Sequence, residues 1–530
     1  MSIPAAVIDS LPNEILETIL FHLVGCDVAK ARAVCQRWYE LVKGSIALQY
    51  RLELALEGYS EDTAHPVPLS LSDRVAALRR FTTCWSEFLV PADRIVTLEN
   101  FPPRSWNCLP VSRWLVDYGD SDRCARISAF PPEDATVGPV WRDIPLDHPH
   151  DAWNRMFSLI ALPTLEMLIT VGSRTLEDGL AVPVVRLLHI DSFKPHPLAA
   201  HHELPWPPGA ELGEMSVAWV GMGLCNSTLS VTFLRFDDLI TVVWNWVLGT
   251  IIHVAPSPLP HFPHGLVMHN QVLLAENTLC WVEYETYDPQ ISEAGRAVLF
   301  VMQFDGSEPW GDTRILGRWG FPTMRTPDTL IVDIVTDEAD EMDACFRLNA
   351  PNPFISYTRA STLPVEVTDN LIGIRMAHVT FYALRSTFLR QRDTDAVVPW
   401  EEWGAENTRC LLGGVHAIHG CKALHQLEPM HDLTLRSTTL ALNFTPTKCR
   451  AAAPHDLNPS FIDSPNELEA FAFLEPISTR LPYLQTRPPE TQDASTESVP
   501  IPTDAKLWWE EGRVVWAGSG DGDVVHVAFL

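Results

Sequence analysis

The sequence predicts an α+β multidomain chain in which a short run of amphipathic helices precedes a large all-β region. Three observations carry this. Up to about residue 90, apolar residues recur at helical spacing. From about residue 95, short β-patterned runs divided by Pro, Gly, Asn and Asp take over. With 46% apolar and 20% charged residues, a chain of 530 residues can pack about two or three domains.

The first helix is marked by Ile8, Leu11, Ile15, Leu16, Ile19, Leu20 and Leu23, which fall on one face. Pro12 sits where a first-turn proline is tolerated, because the amide it lacks would have no partner there. Asp27 is placed to cap a second short helix carrying Val28, Ala31 and Val34. Trp38, Leu41 and Val42 begin a third, which Gly44 interrupts. This head carries more apolar surface than it can bury. A module below about 40 residues rarely sustains a core without a staple or a partner, and neither a close cysteine pair nor a metal signature supplies the staple. A protein partner is therefore expected.

The combined pattern Leu11-Pro12-x-Glu14-Ile15-Leu16-x-x-Ile19-Leu20, then Val34-Cys35-x-x-Trp38, resembles the F-box of ubiquitin-ligase substrate receptors. The resemblance covers roughly residues 8–50. It implies docking onto the Skp-type adaptor of a cullin-RING ligase. Carried over by position, the apolar signature is Leu11, Pro12, Ile15, Leu16, Ile19, Leu20, Val34, Cys35 and Trp38, some of which should pack the module's own core. The implied organisation is a three-helix F-box over 1–50, a helical linker over 51–94, and a target-recognition domain over 95–530.

In the linker, residues 46–57 carry a broad stripe of Ile46, Leu48, Leu52, Ala55 and Leu56, with Gly58 as a stop. Ser72 or Asp73 starts another helix whose Val75, Leu78, Phe81, Cys84, Trp85 and Phe88 face inward.

The β region reads as strands near 167–171, 182–190, 215–220, 229–236, 239–246, 250–254, 279–284, 297–304, 329–335, 378–384, 433–443, 513–517 and 523–529. Thr241 to Thr250, with Trp244-Asn245 near its centre, resembles the end of a WD-repeat blade. Arg513 to Val527 has the same strand–turn–strand form and is placed to close a ring onto an earlier strand. Faithful repeats at a fixed period are absent. An irregular β-propeller of about six to eight blades fits best, and a pair of β-sandwiches is the alternative. Residues 192–213 and 485–504 are expected to be mobile loops, 256–264 is too proline-dense for a central strand, and 336–343 should be a solvated acidic turn.

Charge and cysteine usage narrow the function. A formal charge of −29 opposes nucleic-acid and anionic-membrane binding. No apolar run approaches the length of about 20 residues that spans a bilayer. Eleven cysteines without paired spacing fit reduced thiols in the cytoplasm or nucleus. His416, His419, Cys421 and His425 superficially offer metal ligands, but their spacing matches no common zinc site. Gly221-Met222-Gly223 reads as a hairpin turn, and Ser519 lacks a nucleophile elbow. No catalytic residue, metal or cofactor is predicted. Trp206, Trp310, Trp319, Trp400 and Trp403 stand in loop-like contexts, as target anchors or packing aromatics.

The favoured function is a non-catalytic ligase subunit that holds the adaptor, and through it a cullin, at one end and an unknown protein target at the other. The alternatives are an adaptor-bound scaffold outside any ligase, or an enzyme with an unrecognised site in the β region.

Overall fold

The computed structural model describes residues 11–529, apart from short gaps and the segments 62–69, 99–107, 119–124, 130–141, 144–154, 209–217, 259–271, 287–294, 325–364, 428–437, 450–460, 487–497 and 518–524. The expected strand at 329–335 and the acidic turn at 336–343 lie outside the described residues.

Four helices open the described residues: α1 Asn13–Phe21, α2 Gly25–Arg32, α3 Gln36–Gly44 and α4 Ile46–Glu57. They share one small core of Leu20, Val28, Ala31, Val42, Leu48 and Leu52. The head is therefore a four-helix unit, and residue 50 lies inside its last helix. Ser45 caps α4 with its hydroxyl on Leu48 N, and Gly58 stops the helix in the left-handed region at φ 79°. Asp27 sits in the first turn of α2, which already begins at Gly25. A Cβ on Gly25 would come within 2.3 Å of Ala55 Cβ and 2.5 Å of Arg51 O, so the missing side chain lets α2 lie against α4. Helix α5, Leu71–Glu87, follows with Val75 and Leu78 buried. The side chains of Phe81, Cys84, Trp85 and Phe88 lie outside the described residues.

Beyond the helices, seven antiparallel sheets of three or more strands succeed one another along the described residues. The first holds strands 108–111, 114–118, 125–129 and 142–143. The second holds 155–162, 167–175 and 181–189, and the third 218–225, 228–235, 238–245 and 250–258. The fourth holds 272–275, 278–286, 295–304 and 313–324. The fifth pairs 371–376, 379–384 and 408–412, while the sixth has five strands, 414–419, 422–427, 438–443, 483–486 and 461–462. The seventh joins 506–510, 513–517 and 525–529 to a strand from far earlier in the chain, Ile95–Leu98, with Ile95 opposite Ala528. That pairing ties the end of the β region to its beginning. Apart from the fourth and fifth sheets, leading strands of neighbouring sheets touch in cyclic order, strand 506–510 of the seventh sheet meeting strand 108–111 of the first. Between the fourth and fifth sheets, Leu274 shares a core with Ile372 and Ile374. The architecture is an irregular β-propeller, with the sheets' inner faces forming the cores between them.

Three expectations are corrected here. Residues 192–208 are an outer edge rather than a mobile loop: Leu187 N donates to His202 O at 2.8 Å, His196 N to Leu187 O at 3.0 Å and Leu204 N to Val185 O at 2.9 Å. Prolines are tolerated on such an edge because its outward amides need no partner. Of residues 485–504, 485–486 end the strand Tyr483–Thr486 and Ser498–Pro500 pairs with Leu89–Pro91, while 487–497 and 501–504 lie outside the described residues. Gly221-Met222-Gly223 lies within a strand, beside a bulge between Trp219 and Gly221. A Cβ on Gly223 would stand 2.9 Å from Ser230 Oγ and 3.1 Å from Leu273 N, so this glycine admits the next sheet.

Large aromatics hold the sheets together. Helices α6, Arg385–Leu389, and α7, Trp400–Asn407, are inserted between the second and third strands of the fifth sheet. They bury Phe388, Trp400 and Trp403 against Trp319 and Phe321 of the fourth, and Trp403 Nε1 donates to Gly320 O at 3.0 Å.

Candidate functional site

The first helix carries apolar residues on two sides, one of them buried and the other exposed. Leu16 and Leu20 are 2% and 1% exposed and belong to the head's interior, whereas Ile15 and Ile19 are each 48% exposed. The spacing i, i+4 puts each pair in its own row along the helix. Pro12 precedes the helix with φ −56° and ψ 151°, and its carbonyl accepts from Ile15 N at 3.2 Å and Leu16 N at 3.1 Å. Its missing amide costs nothing at that position.

Arg37 brings the second half of the pattern to the first. Its guanidinium donates to Leu11 O and to Asn13 Oδ1, the latter at 3.1 Å from Nε and 2.9 Å from Nη2. These bonds draw the start of α3, and the Val34–Cys35 turn just ahead of it, toward the entry of α1. Val34 is 66% exposed and the Cys35 thiol is exposed and free. Leu11 and Trp38 are half-buried, Trp38 resting on the head's core. The nine predicted residues therefore divide. Pro12, Ile15, Ile19, Val34 and Cys35 are outward, Leu11 and Trp38 are at the margin, and Leu16 and Leu20 are interior.

Sequence reasoning missed Ile46. It was expected on the inward stripe of its helix but is 50% exposed at the first turn of α4. Ser45, just before it, donates its hydroxyl to the Glu17 carboxylate of α1. The serine cap was the available signal, because it fixes the turn from which Ile46 points. Exposed large apolar residues grouped on one surface mark interaction sites, and Ile15, Ile19, Val34 and Ile46 are all exposed on the described head.

On the β body, the tryptophans sort by burial. Trp319, Trp400 and Trp403 are buried. Trp206 packs edge-on to Phe233 with ring centres 5.2 Å apart, and Trp244 Nε1 donates to Pro205 O at 2.8 Å. Trp310 is exposed, as are Leu198 and Leu248. In the window 416–425, whose spacing matches no common zinc site, the described side chains are buried. His425 is buried, with Nδ1 2.8 Å from the Tyr382 hydroxyl and Nε2 2.7 Å from Leu412 O. Cys421 is also buried, while the side chains of His416 and His419 lie outside the described residues. Among the described residues no group of three or more His, Cys, Asp or Glu is gathered for a metal ion. Burial pushes the thiols of Cys280 and Cys410 well up and that of Cys449 up to about 12, so these cysteines are protonated and unreactive at neutral pH. No helix among the described residues is long and apolar enough to cross a membrane.

Residues 8–54 match the F-box-like family model, so the four-helix head is an F-box-like domain. No curated protein sequence matches the chain. Among solved structures, the chain is similar to the WD40 domain of Toxoplasma gondii coronin, at 10% identity and a TM-score of 0.27, over 78% of this chain and 91% of that one. It is also similar to the Dos1 propeller, at 9% identity and a TM-score of 0.28, over 83% of this chain and 95% of that one. The propeller assignment itself rests on the strand pairing described above.

Proposed function

We propose that the chain is the target-recruiting, non-catalytic subunit of a Skp–cullin–F-box ubiquitin ligase. The F-box-like head docks on a Skp-type adaptor and the β body holds the protein to be modified. One observation supports this most directly. In a head whose own core is already filled by Leu16, Leu20 and their partners, Pro12, Ile15, Ile19 and Val34 remain exposed in the pattern that resembles the adaptor-binding signature. Leu11, Cys35 and Trp38 complete that surface, and Leu16 and Leu20 support it from beneath. Burying exposed apolar area against a partner is worth about 25 cal/mol per Å², a gain the isolated head forgoes.

The chain contributes proximity. Holding a target lysine near a charged ubiquitin thioester raises its effective concentration with no reacting group in this chain.

The test is affinity capture of the full chain from cells with and without proteasome inhibition, beside a Leu11→Ala/Pro12→Ala variant. Adaptor and cullin should both be recovered with the unaltered chain and lost with the variant, while targets accumulate under inhibition. Adaptor recovered without cullin would instead mark a scaffold outside the ligase. Turnover of a small molecule by the chain would contradict a non-catalytic role.

A further inference from the structure

Glu57 stands at the wrong end of its helix. It is the last residue of α4, where the helix dipole is negative and a carboxylate is disfavoured, and it is buried. Two lysines of the β body account for it. Lys422 Nζ, from the start of the second strand of the sixth sheet, lies 2.9 Å from Glu57 Oε2. Lys448 Nζ, just past the third strand of that sheet, lies 2.5 Å from Glu57 Oε1. Lys422 is fully buried and its ammonium also stands 5.4 Å from the Tyr59 ring, itself buried. The Thr445 hydroxyl meets Glu57 O at 3.5 Å. Immediately after this cluster, Tyr59–Glu61 pairs antiparallel with Val365–Val367, with Ser60 opposite Glu366.

We infer that Glu57, clamped by Lys422 and Lys448, is the positioning residue that fixes the bearing of the helical head on the β body. The strand pairs that join the helical region to the body, here and at Leu89–Pro91, are each only three residues long. The clamp is different in kind. It seats the end of a helix from the head among side chains of the sixth sheet, and one carboxylate faces two ammonium groups, that of Lys422 buried and that of Lys448 half-buried, so its loss removes the anion that both lie against. The angle between head and body is then a property of the fold rather than of a linker. On the reading of the previous section, with which this consequence alone stands or falls, the clamp fixes the distance from adaptor to target. The bearing itself is independent of any adaptor.

The experiment uses the full chain without adaptor. Spin labels are carried on unnatural amino acids at the exposed positions Lys30 and Glu308, and the distance distribution is read by pulsed electron resonance. The unaltered chain should give one narrow peak. Glu57→Gln should lose that peak, and the exchanged pair Glu57→Lys/Lys422→Glu should restore it. A broad distribution in the unaltered chain, or a narrow peak retained in Glu57→Gln, would overturn the inference. Should Glu57→Gln not fold, hydrogen exchange on the unaltered chain decides. Protection of residues 55–61 equal to that of 421–427 supports the clamp, and exchange at the rate of exposed turns contradicts it. Loss of adaptor capture with the narrow peak intact would count against the ligase reading alone.

Discussion

Lys422 Nζ lies 2.9 Å from Glu57 Oε2, joining the sixth sheet of the body to the last residue of the helical head. Burial by itself would raise the Glu57 pKa, but Lys422 and Lys448 together outweigh it and hold the carboxyl below its ordinary value of 4.5. Lys448 is pushed down by burial, more than its attraction to Glu57 restores, as expected where two cations share one anion. A carboxylate with a depressed folded pKa stabilises the fold fully above its unfolded value. That contribution is lost as pH falls through the folded one. Denaturant midpoints measured against pH should therefore drop below about pH 4.5, and this acid-limb slope should be shallower in Glu57→Gln.

His253 titrates in a different window. It is buried, stacked on Phe304 with ring centres 4.8 Å apart, and burial pushes its pKa down from 6.5 to about 4 despite nearby Asp305. The unfolded chain takes up a proton at the higher value and the folded chain only at the lower, so stability declines as pH falls from 6.5 toward 4. His253→Phe keeps the stacking and removes the proton site. Its denaturant midpoint should be flatter across that interval, and an unchanged slope would contradict a neutral buried imidazole.

Neighbouring residues of α1 should behave oppositely. Ile15→Ser/Ile19→Ser removes exposed side chains, so stability should change by no more than about 0.5 kcal/mol per site, while adaptor affinity falls more than about tenfold. Leu16→Ala empties an interior site and should cost about 2–5 kcal/mol. Paired melting and pull-down measurements separate surface from core. Equal stability loss in both variants would place Ile15 and Ile19 in the core after all.

Gly404 tests the joint between the fourth and fifth sheets. A Cβ there would stand 2.1 Å from Trp400 Cε3, and Trp400 is boxed in by Phe321, Phe381 and Trp403. Gly404→Ala should destabilise the chain by about 1–3 kcal/mol through overpacking, read as a lowered urea midpoint with secondary structure retained.

Local signals in the sequence were legible and long-range ones were not. The helix over 46–57 with its Gly58 stop, and the hairpins around Trp244 and Trp516, follow from periodicity and turn chemistry within a few residues. Ring closure is legible in kind from the strand–turn–strand form of residues 513–527, but nothing near Ile95 marks it as the partner. Residues 192–208 illustrate this, because proline density does not separate a free loop from a segment hydrogen-bonded along a neighbouring strand, here 181–189. The α7 tryptophans were misplaced in a loop because a helix of eight residues shows too few turns for its period to register. In the head, the pattern identified the apolar set but not its division. Ile15 and Leu16 are adjacent and alike in chemistry, and only the packing of α2, α3 and α4 decides which is covered.

The most direct test of the central claim is a calorimetric titration of a purified Skp-type adaptor into the full chain at several temperatures. Saturable binding with a negative heat-capacity change, the mark of apolar burial, and its loss in Ile15→Ser/Ile19→Ser, is the predicted result. Absence of binding by a folded chain, or equal binding by the variant, would contradict the assignment of the exposed face of α1 as the docking surface.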